Sequence, residues 1–297
     1  LMNTFVRLSG DLPSVQKSFF RNLVAAAFAG SILIKNKAWY SGKKGNMTDF
    51  GVFSGVKTAY RHSGAGKDVI LLHGWGQRMI MMSQIETHLE KHFSVYNIDL
   101  PGHGESDDPS VPWSVEDYEA FLRDFIEKNH IENPILIGHS FGCRFAIHYA
   151  AHYPVYKMVL TGAAGIKPKA SRKMKLKTKM YKIGKWFLLK TGNQEALEKY
   201  QDRHGSTDYK NAKGTMRATF VKVVNDDVTP LLKDVKCPTL LVWGDQDTAA
   251  PLYMGKMMEE MMPDAGLAIF EGQDHFAYWN EYERFNRVLD AFLEGDY

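Results

Sequence analysis

The sequence predicts an α/β fold in which a doubly wound, mostly parallel central sheet is interrupted by a helical insertion. Short apolar runs bounded by Gly, Pro or Asp recur after residue 46, and helix-length segments separate them. The alternation stops between about residues 164 and 225, where a basic stretch contains no convincing strand. Alternating strands and helices are typical of a sheet covered by helices on both faces.

Seven segments have the pattern of strands. The first is expected to be an early edge strand. The other six are continuous apolar runs, as expected for strands buried on both faces of a parallel sheet. In chain order the segments are 58–61, 69–72, 93–98, 134–137, 158–160, 239–243 and 267–270.

Helices are predicted between these runs. The segment 114–129 opens with Ser114, a residue that favours the N-cap position, and Glu116 and Asp117 lie in its first turn. A second helical segment, 143–152, follows the third apolar run, 134–137. Each connects one strand to the next, as a doubly wound sheet requires.

Three regions follow from this pattern. They are an N-terminal extension (1–46), a core built from 47–163 and 226–297, and a helical cap (164–225) expected over the strand ends. The extension contains an apolar run at 23–34, shorter than the roughly 20 residues that span a bilayer as a helix. We expect the extension to be a helix packed on the core or a partly ordered segment, with a membrane-associating anchor as the alternative.

Charge and cysteine usage exclude several classes of protein. The net charge of +3 is too small to predict nucleic-acid binding. Cys143 and Cys237 have neither metal-ligand spacing nor the density of a disulfide framework. We therefore expect a cytoplasmic protein, with membrane association through the N-terminal apolar segment as the alternative.

A five-residue motif at 138–142 identifies a candidate nucleophile. Gly138-His139-Ser140-Phe141-Gly142 matches G-x-S-x-G, follows an apolar run and precedes a helical segment. Such a turn is so tight that its serine takes a strained conformation, and side chains at the two glycine positions would collide with it. Ser140 is thus the predicted nucleophile.

A serine hydroxyl needs a base to remove its proton, and the base needs an orienting acid. The chain order Ser, Asp, His favours a late histidine, and His275 lies just after the last apolar run. Asp245 and Asp247 both follow the run at 239–243. Asp247 lies deeper in the loop and is the predicted acid, whereas Asp245 beside Gly244 is expected to shape the turn.

A negatively charged tetrahedral intermediate needs backbone N–H donors. One is expected from Phe141, directly after the nucleophile, and the other from Trp75 in the loop after the run at 69–72. Gly74, Trp75 and His139 are predicted to contact the substrate. His73 is expected to brace this loop.

Together these motifs resemble the α/β-hydrolase superfamily over about residues 47–294, in particular poorly characterised bacterial hydrolases with a short helical cap. The supporting motifs are 72–76, 99–106, 138–142, 243–251 and His275. The resemblance implies that Ser140, Asp247 and His275 form a catalytic triad and that Trp75 and Phe141 stabilise the oxyanion. The predicted chemistry needs no metal and no organic cofactor. Two departures stand out, Cys143 where a Gly is common and Asp274 before the late His.

Three functions remain open at the level of sequence. The first is hydrolysis of a carboxylic ester or related acyl bond in a small molecule. The second uses the same triad for C–C bond hydrolysis or perhydrolysis. The third is ligand binding without catalysis, because a fold does not fix a function. Oligomeric state and physiological substrate are not predicted.

The predicted cap is strongly basic. Residues 167–190 contain ten Lys or Arg and no acid, and apolar residues are interleaved with them. We expect a helix with its apolar residues on the substrate pocket and its lysines in water. The alternative is a basic amphipathic helix that contacts anionic lipid.

Overall fold

The computed structural model describes residues 47–167, 172–204 and 206–296. The extension predicted at 1–46 lies outside these residues. Eight strands form one sheet in the order β1-β2-β4-β3-β5-β6-β7-β8. The strands are β1 (Asp49–Phe53), β2 (Val56–Gly64), β3 (Asp68–Leu72), β4 (Ser94–Ile98), β5 (Ile135–His139), β6 (Lys157–Thr161), β7 (Thr239–Gly244) and β8 (Ala265–Phe270).

The sheet is mostly parallel. β1 pairs with β2 and β2 with β4 in antiparallel fashion, and every later neighbouring pair is parallel. β3 lies in the middle of the sheet, between β4 and β5, and the order runs outward from it in both directions. The doubly wound α/β fold predicted from the sequence is confirmed.

Ten α-helices are described. They are α1 (Ser83–Leu89), α2 (Val115–Lys128), α3 (Phe141–His152), α4 (Arg172–Thr191), α5 (Gln194–His204), α6 (Thr207–Asn211), α7 (Gly214–Val224), α8 (Leu252–Met261), α9 (Ala277–Asn280) and α10 (Tyr282–Phe292). Two 3₁₀ helices are also present, at Met79–Met82 and Thr229–Asp234.

Each face of the sheet is covered by a separate apolar cluster. α2, α3 and α8 pack on one face, and α1 and α10 pack on the other. Successive residues of β3 alternate between the two clusters, as the period of two in a strand requires. Both faces of the sheet are therefore dry, which explains the continuous apolar runs in the sequence.

The start of α2 follows the predicted capping chemistry. The backbone N–H of Asp117 donates to the Ser114 hydroxyl, and the Ser114 N–H donates to the Asp117 carboxylate at 2.7 Å. This reciprocal pair is a capping box, which satisfies two otherwise unpaired donors.

β1 is not among the strands predicted from the sequence. Its residues are mostly exposed, so the strand has no continuous apolar run. The segment predicted as an edge strand is instead part of β2, the second strand of the sheet. The signal that could have revealed β1 is the two-residue turn Ser54-Gly55, in which both residues have positive φ (46° and 78°). Such turns connect the strands of a β-hairpin.

The stretch without predicted strands is helical where it is described, and α4 to α7 occupy it. We call α4 to α7 the helical insertion. The expectation that the apolar residues of its basic segment face a pocket is wrong for four of them. Met180, Ile183, Trp186 and Phe187 are each more than half exposed. Within the described ranges, no helix is long and apolar enough to cross a membrane.

Candidate active site

Ser140 occupies a strained turn between β5 and α3. Its φ of 48° and ψ of −104° lie in a region that L-residues rarely adopt, at a cost of about 1–3 kcal/mol. The flanking glycine is required by space, because a Cβ atom on Gly142 would lie 2.3 Å from the carbonyl oxygen of Leu72. The tightness of the turn therefore explains the second glycine of the G-x-S-x-G motif, as expected from the sequence.

Backbone hydrogen bonds hold this turn in place. The Ser140 N–H donates to the carbonyl of Thr161 at 3.0 Å, and the Ala164 N–H donates to the carbonyl of Ser140 at 3.2 Å. Both partners belong to the end of β6 or the loop after it. The neighbouring strand thus offsets part of the strain in the serine backbone.

His275 and Asp247 form a close pair. The His275 Nδ1 atom lies 2.7 Å from Asp247 Oδ2, and the Asp247 side chain is fully buried. Its other oxygen, Oδ1, accepts hydrogen bonds from the N–H groups of Ala249 and Ala250, both at 2.8 Å. A carboxylate oxygen accepts hydrogen bonds, so His275 Nδ1 is the donor in this contact.

Asp245 has a different partner. Its Oδ1 accepts a hydrogen bond from the Gly272 N–H at 2.7 Å, which ties the loop after β7 to the loop after β8. Asp274, beside His275, accepts from the Phe276 N–H at 2.9 Å and from the Asn280 side chain at 3.0 Å. It therefore organises the turn into α9.

The Asp–His pair lies beside the serine turn. A Cβ atom on Gly162, which directly follows the Thr161 that binds Ser140, would lie 3.0 Å from His275 Nδ1. The rings of His275 and His139 are 4.8 Å apart between centroids. The chain brings these residues together because the parallel strands β5, β6, β7 and β8 end at the same edge of the sheet.

Trp75 and Phe141 also meet at this edge. Their rings contact each other edge to face, with centroids 5.2 Å apart. Among the described residues, neither backbone N–H is matched to an acceptor. Phe141 is the first residue of α3, where a helix leaves its N–H groups unpaired. The role of these two N–H groups as oxyanion donors stays a prediction.

His73 braces the loop that carries Trp75. The Leu100 N–H donates to its Nε2 at 3.0 Å, so the neutral ring uses its Nδ1–H to donate to the Gly74 carbonyl at 2.8 Å. Burial lowers the pKa of His73 to about 4, which keeps the ring neutral. The ring joins the loops after β3 and β4.

His139 is fully buried next to His275. Its Nδ1 lies 3.1 Å from both the backbone oxygen and the hydroxyl of Thr161, and its ring packs against Tyr278. Burial and the neighbouring His275 hold its pKa well below the usual value, so the ring is neutral. Gly74 lies against the same ring. Substrate contact by Gly74 and His139 stays a prediction.

The helical insertion reaches this edge through α7. The Phe220 ring lies 5.1 Å from the Trp75 ring, and Met216 packs against Gly102. The Trp113 N–H donates to the Thr219 hydroxyl at 3.0 Å. These α7 residues and Thr161 are not predicted as site residues from the sequence, because no local motif marks a contact between distant segments.

In the parts of the chain that the structure describes, no group of three or more His, Cys, Asp or Glu side chains is arranged to hold an ion. Cys143, at the departure from the usual Gly, is a buried free thiol, and burial raises its pKa. Its small side chain fits inside the first turn of α3.

A serine turn between a central strand and a helix, beside an Asp–His pair on a doubly wound sheet, is the architecture of the α/β hydrolases. The family model for the alpha/beta hydrolase family matches residues 69–288, and the chain belongs to this family.

Named relatives include enzymes with different substrates. The chain is 28% identical to a 2-hydroxy-6-oxononadienedioate/2-hydroxy-6-oxononatrienedioate hydrolase of Paraburkholderia phymatum, with 80% of this chain and 91% of that protein covered. It is 26% identical to a pimeloyl-[acyl-carrier protein] methyl ester esterase of Chromobacterium violaceum, covering 78% and 96%. An esterase from Exiguobacterium antarcticum has a similar fold, with a TM-score of 0.65, 22% identity and coverage of 84% and 100%.

Proposed function

We propose that this protein is a serine hydrolase that cleaves a carboxylic ester or a related acyl bond in a small molecule. The observation that carries the proposal is the 2.7 Å contact between His275 Nδ1 and Asp247 Oδ2 beside the strained Ser140 turn. A serine, a base and an orienting acid from separate loops are the three groups that covalent acyl transfer requires. Similarity to a methyl ester esterase agrees with this reaction.

The first half of the reaction forms an acyl-enzyme. Ser140 Oγ attacks the carbonyl carbon while His275 Nε2 takes its proton, and Asp247 stabilises the imidazolium that results. The oxyanion accepts hydrogen bonds from the N–H groups of Trp75 and Phe141. Loss of one such donor typically costs about 10²–10³ in rate. The intermediate then collapses, and His275 returns the proton to the departing alcohol.

The second half releases the acid. Water enters where the alcohol left, His275 removes one of its protons, and the resulting hydroxide attacks the acyl carbon. The second tetrahedral intermediate uses the same two N–H donors. It then breaks the bond to Ser140 Oγ, which recovers its proton from His275. No metal and no organic cofactor takes part in these steps.

Hydrolysis of p-nitrophenyl esters of increasing chain length tests the reaction. We expect the wild-type protein to cleave at least the short members, and Ser140→Ala to lose activity by about 10³ or more. Ser110→Ala, at an exposed serine outside the site, is the matched control and should keep full activity. Equal activity of Ser140→Ala and the wild type would show that Ser140 is not the nucleophile.

C–C bond hydrolysis is the second candidate, favoured by the 28% identity to a 2-hydroxy-6-oxononadienedioate hydrolase. The same residues would serve it, so the geometry alone does not separate the two. The discriminating assay offers a 2-hydroxy-6-oxo-dienoate and a p-nitrophenyl ester to the same preparation. If kcat/KM were much higher for the dienoate, C–C bond hydrolysis would replace ester hydrolysis as the proposed reaction.

A further inference from the structure

An apolar stripe runs along the outer side of α4. Leu176, Met180, Ile183 and Phe187 are spaced by four, three and four residues, so they lie in one line on the helix. All four are between 58% and 63% exposed. Aliphatic and aromatic side chains in one contiguous patch are unusual on a protein surface and mark an interaction site.

The stripe is not the face that packs on the protein. α4 meets α5 through Tyr181, whose ring is stacked on that of Tyr200 with centroids 5.5 Å apart. Gly184 lies on the same side, because a Cβ atom there would be 2.3 Å from the Tyr200 hydroxyl. The packing face is thus already occupied, and the apolar stripe points away from it.

Basic residues flank the stripe. Lys179 and Lys190 lie beside it on the helix, and both are exposed. The Lys190 ammonium lies 4.4 Å from the centre of the Trp186 ring, itself more than half exposed. Long lysine side chains can keep the ammonium in water or at lipid headgroups while their alkyl stems cover apolar surface.

We propose that α4 is a docking surface for a membrane that contains anionic lipids. The apolar stripe would enter the boundary between headgroups and acyl chains, and the lysines would contact the phosphates. The proposal does not rest on the hydrolase chemistry of the site. The surface would bring the protein to lipid whichever bond the enzyme cleaves.

Charge decides between lipid and the other candidates for this surface. Residues 167–190 carry ten Lys or Arg and no acid, so a second copy facing α4 would set lysines against lysines. Residues 1–46 hold seven Lys or Arg against one acid and also lack complementary charge. A nucleic-acid duplex would match the charge, but its phosphate surface offers no apolar partner to the stripe. An anionic lipid membrane offers acyl chains to the apolar stripe and phosphates to the lysines.

Vesicle sedimentation tests the proposal with a matched pair of double variants of the full chain. I183E/F187E introduces two acids into the stripe. V52E/V111E makes the same change in charge at two valines outside α4, which are 58% and 59% exposed. On vesicles of phosphatidylcholine and phosphatidylglycerol we expect I183E/F187E to lose about tenfold or more in affinity. V52E/V111E should lose much less, and vesicles of phosphatidylcholine alone should bind all three proteins weakly.

Insertion is measured directly with an environment-sensitive fluorophore on Ile183→Cys. Cys143 and Cys237 are buried, so the label goes to the new thiol. We expect a blue shift with anionic vesicles that decreases with salt, and none for the same label on Val111→Cys. Equal vesicle binding by the two double variants would overturn the proposal. A dimer in the absence of lipid that I183E/F187E abolishes would also overturn it, in favour of a second copy.

One control separates this proposal from the proposed function. Cleavage of a soluble p-nitrophenyl ester should be the same in I183E/F187E and V52E/V111E, because all four positions are exposed and none belongs to the proposed site. Loss of vesicle binding with normal ester cleavage supports docking. Inactivity of the wild-type protein on all esters, with vesicle binding intact, would contradict the proposed function and leave the docking surface standing.

Discussion

Asp247 holds His275 by one carboxylate oxygen and is itself held by the other. Oδ2 lies 2.7 Å from His275 Nδ1, while Oδ1 accepts two backbone N–H groups from the loop that follows. The carboxylate is therefore fixed before any substrate binds. A preorganised acid of this kind orients the imidazole and stabilises its charged form.

Replacement of Asp247 by Asn should lower kcat by about 10³–10⁴, because an amide cannot enforce the same tautomer of His275. Asp245→Asn is the matched control. Asp245 binds the Gly272 N–H and not the histidine, so an amide oxygen can replace it with little loss of activity. Steady-state kinetics on a p-nitrophenyl ester measures both. Similar losses in the two variants would contradict the assignment of the acid.

Gly142→Ala should destabilise the protein by about 1–3 kcal/mol, because the added methyl group would lie 2.3 Å from the Leu72 carbonyl oxygen. Gly266→Ala is the control, since a Cβ atom at that position meets nothing within 4 Å. Urea denaturation gives the free energy of unfolding of each variant. If the two variants were equally stable, the space argument for the glycine in the serine turn would be wrong.

A buried histidine links the core to the end of the helical insertion. His148 Nε2 lies 3.2 Å from Asp226, just after α7, and Nδ1 lies 3.6 Å from Glu119 on α2. Burial alone would lower the pKa of His148, but the hydrogen bonds to the two carboxylates outweigh it and raise the pKa to about 9. The folded protein therefore holds this proton more tightly than the unfolded chain, whose histidine pKa is about 6.5.

Stability should therefore fall as the pH rises from about 6.5 to 9. The contribution of His148 is fully present below pH 6.5 and is lost through the folded pKa. We expect a loss of about 2 kcal/mol, less than the full shift in pKa implies because solvent partly screens the network. Urea denaturation across this pH range should show the slope in wild type and in His130→Asn, an exposed control. The same slope in His148→Gln would assign the effect to other groups.

Phe220 supports Trp75 from the insertion, so Phe220→Ala should reduce kcat on soluble esters. Removal of a ring 5.1 Å from the Trp75 ring loosens the loop whose N–H is the proposed oxyanion donor. We expect a loss of about tenfold, corresponding to about 1.4 kcal/mol of transition-state stabilisation. Val221→Ala, at the next and more exposed residue, should be nearly neutral. An unchanged kcat in Phe220→Ala would show that the helical insertion does not help to position the Trp75 loop for catalysis.

The fold is predictable from sequence where local patterns are strong. Continuous apolar runs reveal the buried strands, and the Ser140 motif reveals its turn because the required glycines are adjacent in sequence. β1 has no such signal, since an exposed edge strand needs no apolar run. The pairing of Asp247 with His275 is predictable from the order Ser, Asp, His along the chain, once the strands that precede these residues are identified.

Contacts between distant segments are less accessible to sequence reasoning. Nothing local indicates that Phe220 packs on Trp75 or that Thr161 holds both Ser140 and His139. The sequence also does not show whether the apolar residues of a basic helix are covered by the protein or exposed on its surface. In the structure, the packing of Tyr181 and Gly184 on Tyr200 shows which face of α4 is covered.

Covalent labelling is the sharpest test of Ser140 as the nucleophile. The folded wild-type protein is treated with a fluorophosphonate, digested and analysed by mass spectrometry, in parallel with Ser140→Ala and His275→Ala. We expect one adduct, on the peptide containing Ser140, absent from Ser140→Ala and formed much more slowly by His275→Ala. If the folded wild-type protein takes no label, or is labelled on another residue, Ser140 is not the nucleophile.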